Sequence, residues 1–286
     1  MARVTIIIGY LVSICLLACL LAYPIYLATD ADFERIVSRT ILVNAVILFY
    51  PLCCLLKIHH PSDLGFIKAN PITSITNSVV IGFLMLAPIS MFFIYCEYRY
   101  WEPNAAALLP LVIALFSALA SGLIIGLIEE TLFRGVIQSQ LSKVFNVVLV
   151  IVIVNIIYAS VHFLQAPDST ATLQIHWYTG FIILREAFAN LANYELFADA
   201  WLALFLAGIF LSMIKLRSNN LWWCIGIHAG WVTHIKLFKD LTNRSQDAEC
   251  AYLASSYDNY IGELSTIWIL IVLTFWLFYN RKTNAQ

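Results

Sequence analysis

A chain of 286 residues that is 62% hydrophobic and 12% charged, with a net charge of −1, excludes a soluble globular domain. The near-neutral balance also argues against a large basic surface for nucleic acid. This is the composition of an integral membrane protein whose first partner is the lipid bilayer. Its seven cysteines form no C-x-x-C pair and no zinc-finger spacing, and most fall inside apolar runs, where cysteine acts as a small hydrophobe.

Eight apolar segments of about 17–25 residues can be drawn, roughly 4–28, 40–56, 75–96, 108–132, 145–163, 199–215, 220–237 and 263–280. The first is too long for the apolar stretch of a signal peptide and reads as a retained span. The predicted fold class is all-α: one polytopic membrane bundle over 1–286, with about eight transmembrane helices around a mid-membrane polar cavity. An even count puts both termini on one face. Placing that face in the cytoplasm gathers Arg3, Lys57, Lys143, Lys215 and Arg217 into short inner loops, as the positive-inside rule favours. Cys96 and Cys250 then both lie outside, where they are free to pair.

The inner loop 57–70 holds His59-His60, read as a solvated pair. The fourth apolar run extends from Pro110 to Leu141, longer than a bilayer is thick at about 1.5 Å per residue, so it must tilt, protrude or bend. Ala114, Ala118, Gly122 and Gly126 recur along it every four residues. Such a stripe admits a neighbouring helix at close range, or equally a substrate backbone. It ends in Glu129-Glu130-Thr-Leu-Phe-Arg134. An ionisable group at the bilayer centre costs roughly 2.5–3.5 kcal/mol, and two adjacent carboxylates also repel. Arg134 stands four residues after Glu130 and can pair with it; Glu129 is left without a local cation. A desolvated, poorly paired carboxylate has the character of a general base, the competing reading being a helix end whose charges reach the interface.

Asn155, Tyr158, Ala159 and His162 share one face of the fifth segment, which points to function there. Residues 164–198 form a long outer connection. Within it, Phe181, Leu184, Phe188 and Leu191 oppose Arg185, Glu186, Asn190 and Asn193, the pattern of a short interfacial helix. Asp168, His176 and Glu195 read as solvated. In the seventh segment His228 lies mid-span among small residues, and His234, near the outer end, reads as interfacial. Counted from the inner turns at helical rise, Glu129, His162 and His228 lie ~18, ~25 and ~13 Å deep, close enough to converge. From the residues alone, a proton relay in a transporter and a zinc site on Glu129, His162 and His228 both stay open.

These motifs resemble the CAAX-protease and bacteriocin-processing family, the type II CAAX prenyl endopeptidases, which are glutamate intramembrane proteases. E-E-x-x-x-R is matched by Glu129-Glu130-Thr-Leu-Phe-Arg134, and F-x-x-x-H by Tyr158-x-x-x-His162 with Tyr for Phe. H-x-x-x-N is matched by His228 with Val232 in place of Asn, and the likeness covers about 108–233. The resemblance implies an endopeptidase without cofactor, acting on membrane-anchored or C-terminal peptides, in a membrane expected to be a bacterial inner membrane. It implies that Glu129 and His162 activate water and His228 stabilises the oxyanion. Glu130, Arg134, Tyr158 and Asn155 would support them, with Tyr158, Asn155 or Thr233 substituting for the absent Asn. A non-catalytic immunity or scaffold role is the alternative.

Overall fold

The computed structural model describes residues 1–29, 31–67, 70–102, 107–164 and 174–283, with side chains to 279. Its first half comprises α1 (Ala2–Leu27), α2 (Phe33–Ile47), α3 (Phe49–Leu56), α4 (Pro61–Leu64), α5 (Pro71–Met85), α6 (Ala87–Tyr95) and the short strand β1 (Arg99–Trp101). Then come α7 (Leu108–Glu130), a π-helical segment (Thr131–Gln138), α8 (Ser139–Leu141) and α9 (Val147–Val161). The chain closes with α10 (Thr179–Asn190), α11 (Ala198–Ser218), α12 (Leu221–Leu241), strand β2 (Thr242–Arg244) and α13 (Glu263–Thr283). The architecture is all-α apart from the ribbon in which Arg99, Tyr100 and Trp101 pair antiparallel with Arg244, Asn243 and Thr242.

Helix α12 is the axis of the bundle, packed between α5 and α7. Small residues make this possible. A Cβ on Gly122 or Gly126 of α7 would stand 2.6 Å from Ala229 O and 2.9 Å from Ile225 O of α12. The stripe leading to Glu129 therefore serves helix packing and is filled by α12, not by a substrate backbone. On the other side, a side chain at Gly226 would collide with Ser78 of α5. One apolar core joins α6, α11, α12 and α13 through Phe93, Leu211, Leu221, Ile227 and Leu273. A second joins α1, α3, the π segment and α9 through Ile7, Leu52, Phe133, Val136 and Val154.

Helices occupy all eight expected segments, but fewer qualify as spans by length and apolarity. Among the described residues four do: Ala2–Leu27, Pro71–Tyr95, Leu108–Leu141 and Ala198–Ser218. A fifth is added if α2 and α3, bent by 41°, count as one. The shortfall has identifiable causes. α9 has only 15 residues. α12 carries His228, His234, Lys236, Lys239 and Asp240, which lower its apolarity. The overlong fourth run is a continuous helix of 34 residues from Leu108 to Leu141, with the π segment inside it.

One local expectation is corrected. His234 is buried, not interfacial: its Nε2 lies 2.6 Å from Ser90 Oγ and its ring packs on Phe83. A helix forms in the outer connection, as expected, and meets the rest of the protein through Thr179, Gly180, Ile183 and Ala187, while Phe188 is exposed. Gly180 sits directly against the backbone of Cys19, so α10 docks on α1 through its small residues. His59, His60, His176 and Glu195 are exposed as expected; Asp168 lies outside the described residues. Cys96 and Cys250 form a disulfide with their Cα atoms 6.4 Å apart.

Candidate active site

Three elements bring the polar residues together: the end of α7 with the π segment, the last turns of α9, and the middle of α12. The switch from α to π pitch begins immediately after Glu130. Single stretches of π-helix are rare and tend to occur at functional sites. Here Arg134 still reaches back to Glu130, as the four-residue spacing predicts: Nη1 donates to Oε1 at 3.1 Å. Both side chains are completely buried.

Both terminal nitrogens of Arg134 are engaged, while its buried Nε has no hydrogen-bond partner among the described residues. Its Nη2 donates to Asn155 Oδ1 and to the carbonyl of Gly208, each at 3.1 Å. Its guanidinium lies over the Tyr158 ring, 4.3 Å from the centroid. Asn155 is itself anchored, donating to Ile151 O and Ser212 Oγ. Glu130 Oε1 accepts a second bond, from His228 Nδ1 at 2.8 Å. Glu130 thus joins Arg134 on its own helix to His228 on α12, and one carboxylate faces two nitrogen donors. A buried charge needs such pairing.

Glu129 points elsewhere. Its side chain retains 24% exposure, and its Oε2 stands 3.7 Å from His162 Nε2, beyond hydrogen-bond length. That oxygen has no hydrogen-bond partner among the described residues. His162 Nδ1 lies 2.7 Å from Tyr158 O, and because a carbonyl only accepts, Nδ1 carries a proton. This fixes the ring so that Nε2 faces Glu129. The Tyr158 ring stands between the two histidines, with centroids 4.8 Å from His162 and 6.5 Å from His228. Glu129, His162 and His228 are therefore grouped around Tyr158, with Glu130 and Arg134 sealed behind them.

Residues 110–234 match the family model described as Rce1-like, Type II CAAX prenyl endopeptidase Rce1-like. Over that segment, less than half of the chain, the sequence is similar to that family. No curated protein and no solved structure gives a significant match. The matched segment runs from α7 into α12 and contains every residue of the cluster just described. α1 to α6, the 245–262 loop and α13 lie outside it.

Of the three residues expected to stand in for the Asn absent at Val232, two are committed. Asn155 holds Arg134 and Ser212, and Thr233 Oγ1 donates to Ala229 O one turn back at 2.6 Å. Tyr158, the third, is buried with the Arg134 guanidinium over its ring, and no donation from its hydroxyl is seen among the described residues. Among the described residues no three His, Cys, Asp or Glu side chains are placed to hold one metal ion. Two apolar-walled cavities open at described residues, of about 530 Å³ and 400 Å³. The larger is lined by Leu127, Ile128, Thr131 and Leu132 of the same helix, but neither is lined by Glu129, His162 or His228.

Motif reading could not have found Gly208, whose carbonyl caps Arg134, or Tyr257, whose hydroxyl donates to His162 O at 2.9 Å. Neither lies in a recognisable pattern, and Tyr257 is 95 residues from its partner.

Proposed function

We propose that the protein is an intramembrane endopeptidase using a water activated by Glu129 and His162. The observation carrying this reading is the separation of the two carboxylates. Glu130 is consumed by Arg134 and His228, while Glu129 is partly exposed, faces His162 Nε2, and its Oε2 has no hydrogen-bond partner among the described residues. Two acceptors 3.7 Å apart can both receive protons from one water molecule, leaving its oxygen lone pair for a peptide carbonyl. Attack forms the C–O bond, moves the carbonyl π electrons onto the oxyanion and passes the water's proton to Glu129; collapse of the oxyanion breaks the C–N bond as Glu129 delivers that proton to the leaving amine.

His228 stabilises the developing oxyanion through Nε2. Its Nδ1–H is already donated to Glu130, so donation from Nε2 requires the imidazolium form, and the Glu130 carboxylate offsets that charge. Arg134 and Asn155 hold Glu130 in register; Tyr158 packs both histidines and offers a second donor. The substrate class suggested by the Rce1-like segment is a membrane-anchored or C-terminally lipidated peptide, entering a polar cavity in an arrangement of eight spans with both termini cytoplasmic. The Cys96–Cys250 disulfide supports that orientation, since disulfides persist on the non-cytosolic face. A bacterial inner membrane fits the size and motif style. Val232 favours one second reading, a catalytically impaired relative acting as an immunity or scaffold factor.

The test is hydrolysis of a fluorogenic peptide ending in a farnesylated C-a-a-X sequence by protein in liposomes. Glu129→Gln keeps the shape and removes the base, and should abolish cleavage; zinc chelators should leave it intact. Cleavage that survives Glu129→Gln overturns the assignment, and chelator loss restored by zinc would favour a metal-dependent reaction.

A further inference from the structure

His162 ends its helix. α9 stops at Val161, so the His162 carbonyl is among the acceptors a helix leaves unsatisfied at its C-terminus. A residue meant to face Glu129 from a helix end needs its backbone fixed from outside the helix. Tyr257 supplies that contact from the loop between β2 and α13, donating its hydroxyl to His162 O at 2.9 Å. The same ring packs on Phe163, centroids 4.5 Å apart, and Phe163 stacks on Phe197 at 4.4 Å. Tyr257 therefore clamps residues 162 and 163 by a hydrogen bond and a ring contact together.

The loop carrying Tyr257 is itself anchored. Tyr257 N donates to Ser255 Oγ. The neighbouring Asp258 pairs with Lys239 of α12 at 2.9 Å and accepts from the backbone N–H groups of Tyr260 and Ile261. Arg99 reaches Asn259 O, and the Cys96–Cys250 disulfide ties the start of the loop to the end of α6. Burial raises the Tyr257 hydroxyl above its ordinary value, and Asp258 and then Glu129 add to this, so it remains a protonated donor.

We propose that Tyr257 is a positioning residue for His162, holding the helix end so that the imidazole Nε2 stays aimed at Glu129. This rests on the protease reading for its catalytic consequence, but the positioning itself is measurable without catalysis. The experiment is Tyr257→Phe in the full chain, which keeps the ring on Phe163 and removes only the donor. Two readouts are taken: the side-chain ¹⁵N resonances of the six histidines, and kcat and KM on the farnesylated peptide. The expected result is a shift of the His162 resonances with those of His228 unmoved. kcat should fall about two- to tenfold, the effect of one neutral hydrogen bond, with KM unchanged. Unmoved His162 resonances overturn the inference whatever the activity. So do equal shifts at His162 and His228, which mark a general loosening, and an unchanged kcat beside a moved His162. A wild type that cleaves nothing fails the protease reading alone, and the resonances still decide the positioning.

Discussion

Replacing Arg134 by Met is the sharpest probe of the buried network. The substitution roughly keeps volume and removes the guanidinium. Glu130, wholly buried, then loses one of its two partners, and Asn155 Oδ1 and Gly208 O each lose a donor. Removing one member of a buried pair costs about 3–5 kcal/mol, mostly from the charge left behind. His228 remains on Glu130 Oε1, which favours the lower part of that range. Arg134→Met combined with Glu130→Gln removes both charges and should recover more than half of the loss, because the pair's attraction is largely spent on its own desolvation. Reversible unfolding in mixed micelles, titrated with an ionic detergent, measures all three proteins. A single variant within about 1 kcal/mol of wild type would show that the pair contributes little, against the standard cost of a stranded charge. A double variant no better than the single would trace the loss to Asn155 and Gly208 instead.

Val232→Asn, one helical turn beyond His228, should raise kcat, toward the 10²–10³ that a preorganised oxyanion donor typically contributes, with little change in KM. If it does not, Tyr158 already supplies that donor, and Tyr158→Phe should lower kcat severely while the protein stays folded. A folded wild type and a folded Val232→Asn protein that both fail on the farnesylated peptide would favour the non-catalytic role. Reducing the Cys96–Cys250 bond, or making Cys250→Ser, should lower unfolding stability by about 2–4 kcal/mol because the bond closes a long loop; equal melting with and without a dithiol would refute this.

Membrane residence, the helical class and the position of each polar group along its own helix follow from the sequence. Apolar runs and their interruptions are local properties, and a carboxylate pair at the end of such a run stands out whatever surrounds it. The Arg134–Glu130 pair was legible for the same reason, since four residues on one helix are always neighbours. Partner choice between helices was not. That Glu130 takes His228, 98 residues away, and leaves Glu129 to His162 depends on the relative rotation of α7, α9 and α12. The π segment directly follows Glu130, and no residue pattern announced it. The same holds for His234, which sequence put at the interface because its partners Ser90 and Tyr260 lie on other elements. It holds for the small-residue stripe, open to either a helix or a substrate until α12 filled it. Tyr257 is the extreme case: a loop tyrosine gains its role only when tertiary packing delivers its hydroxyl to a helix end that sequence could not connect to it.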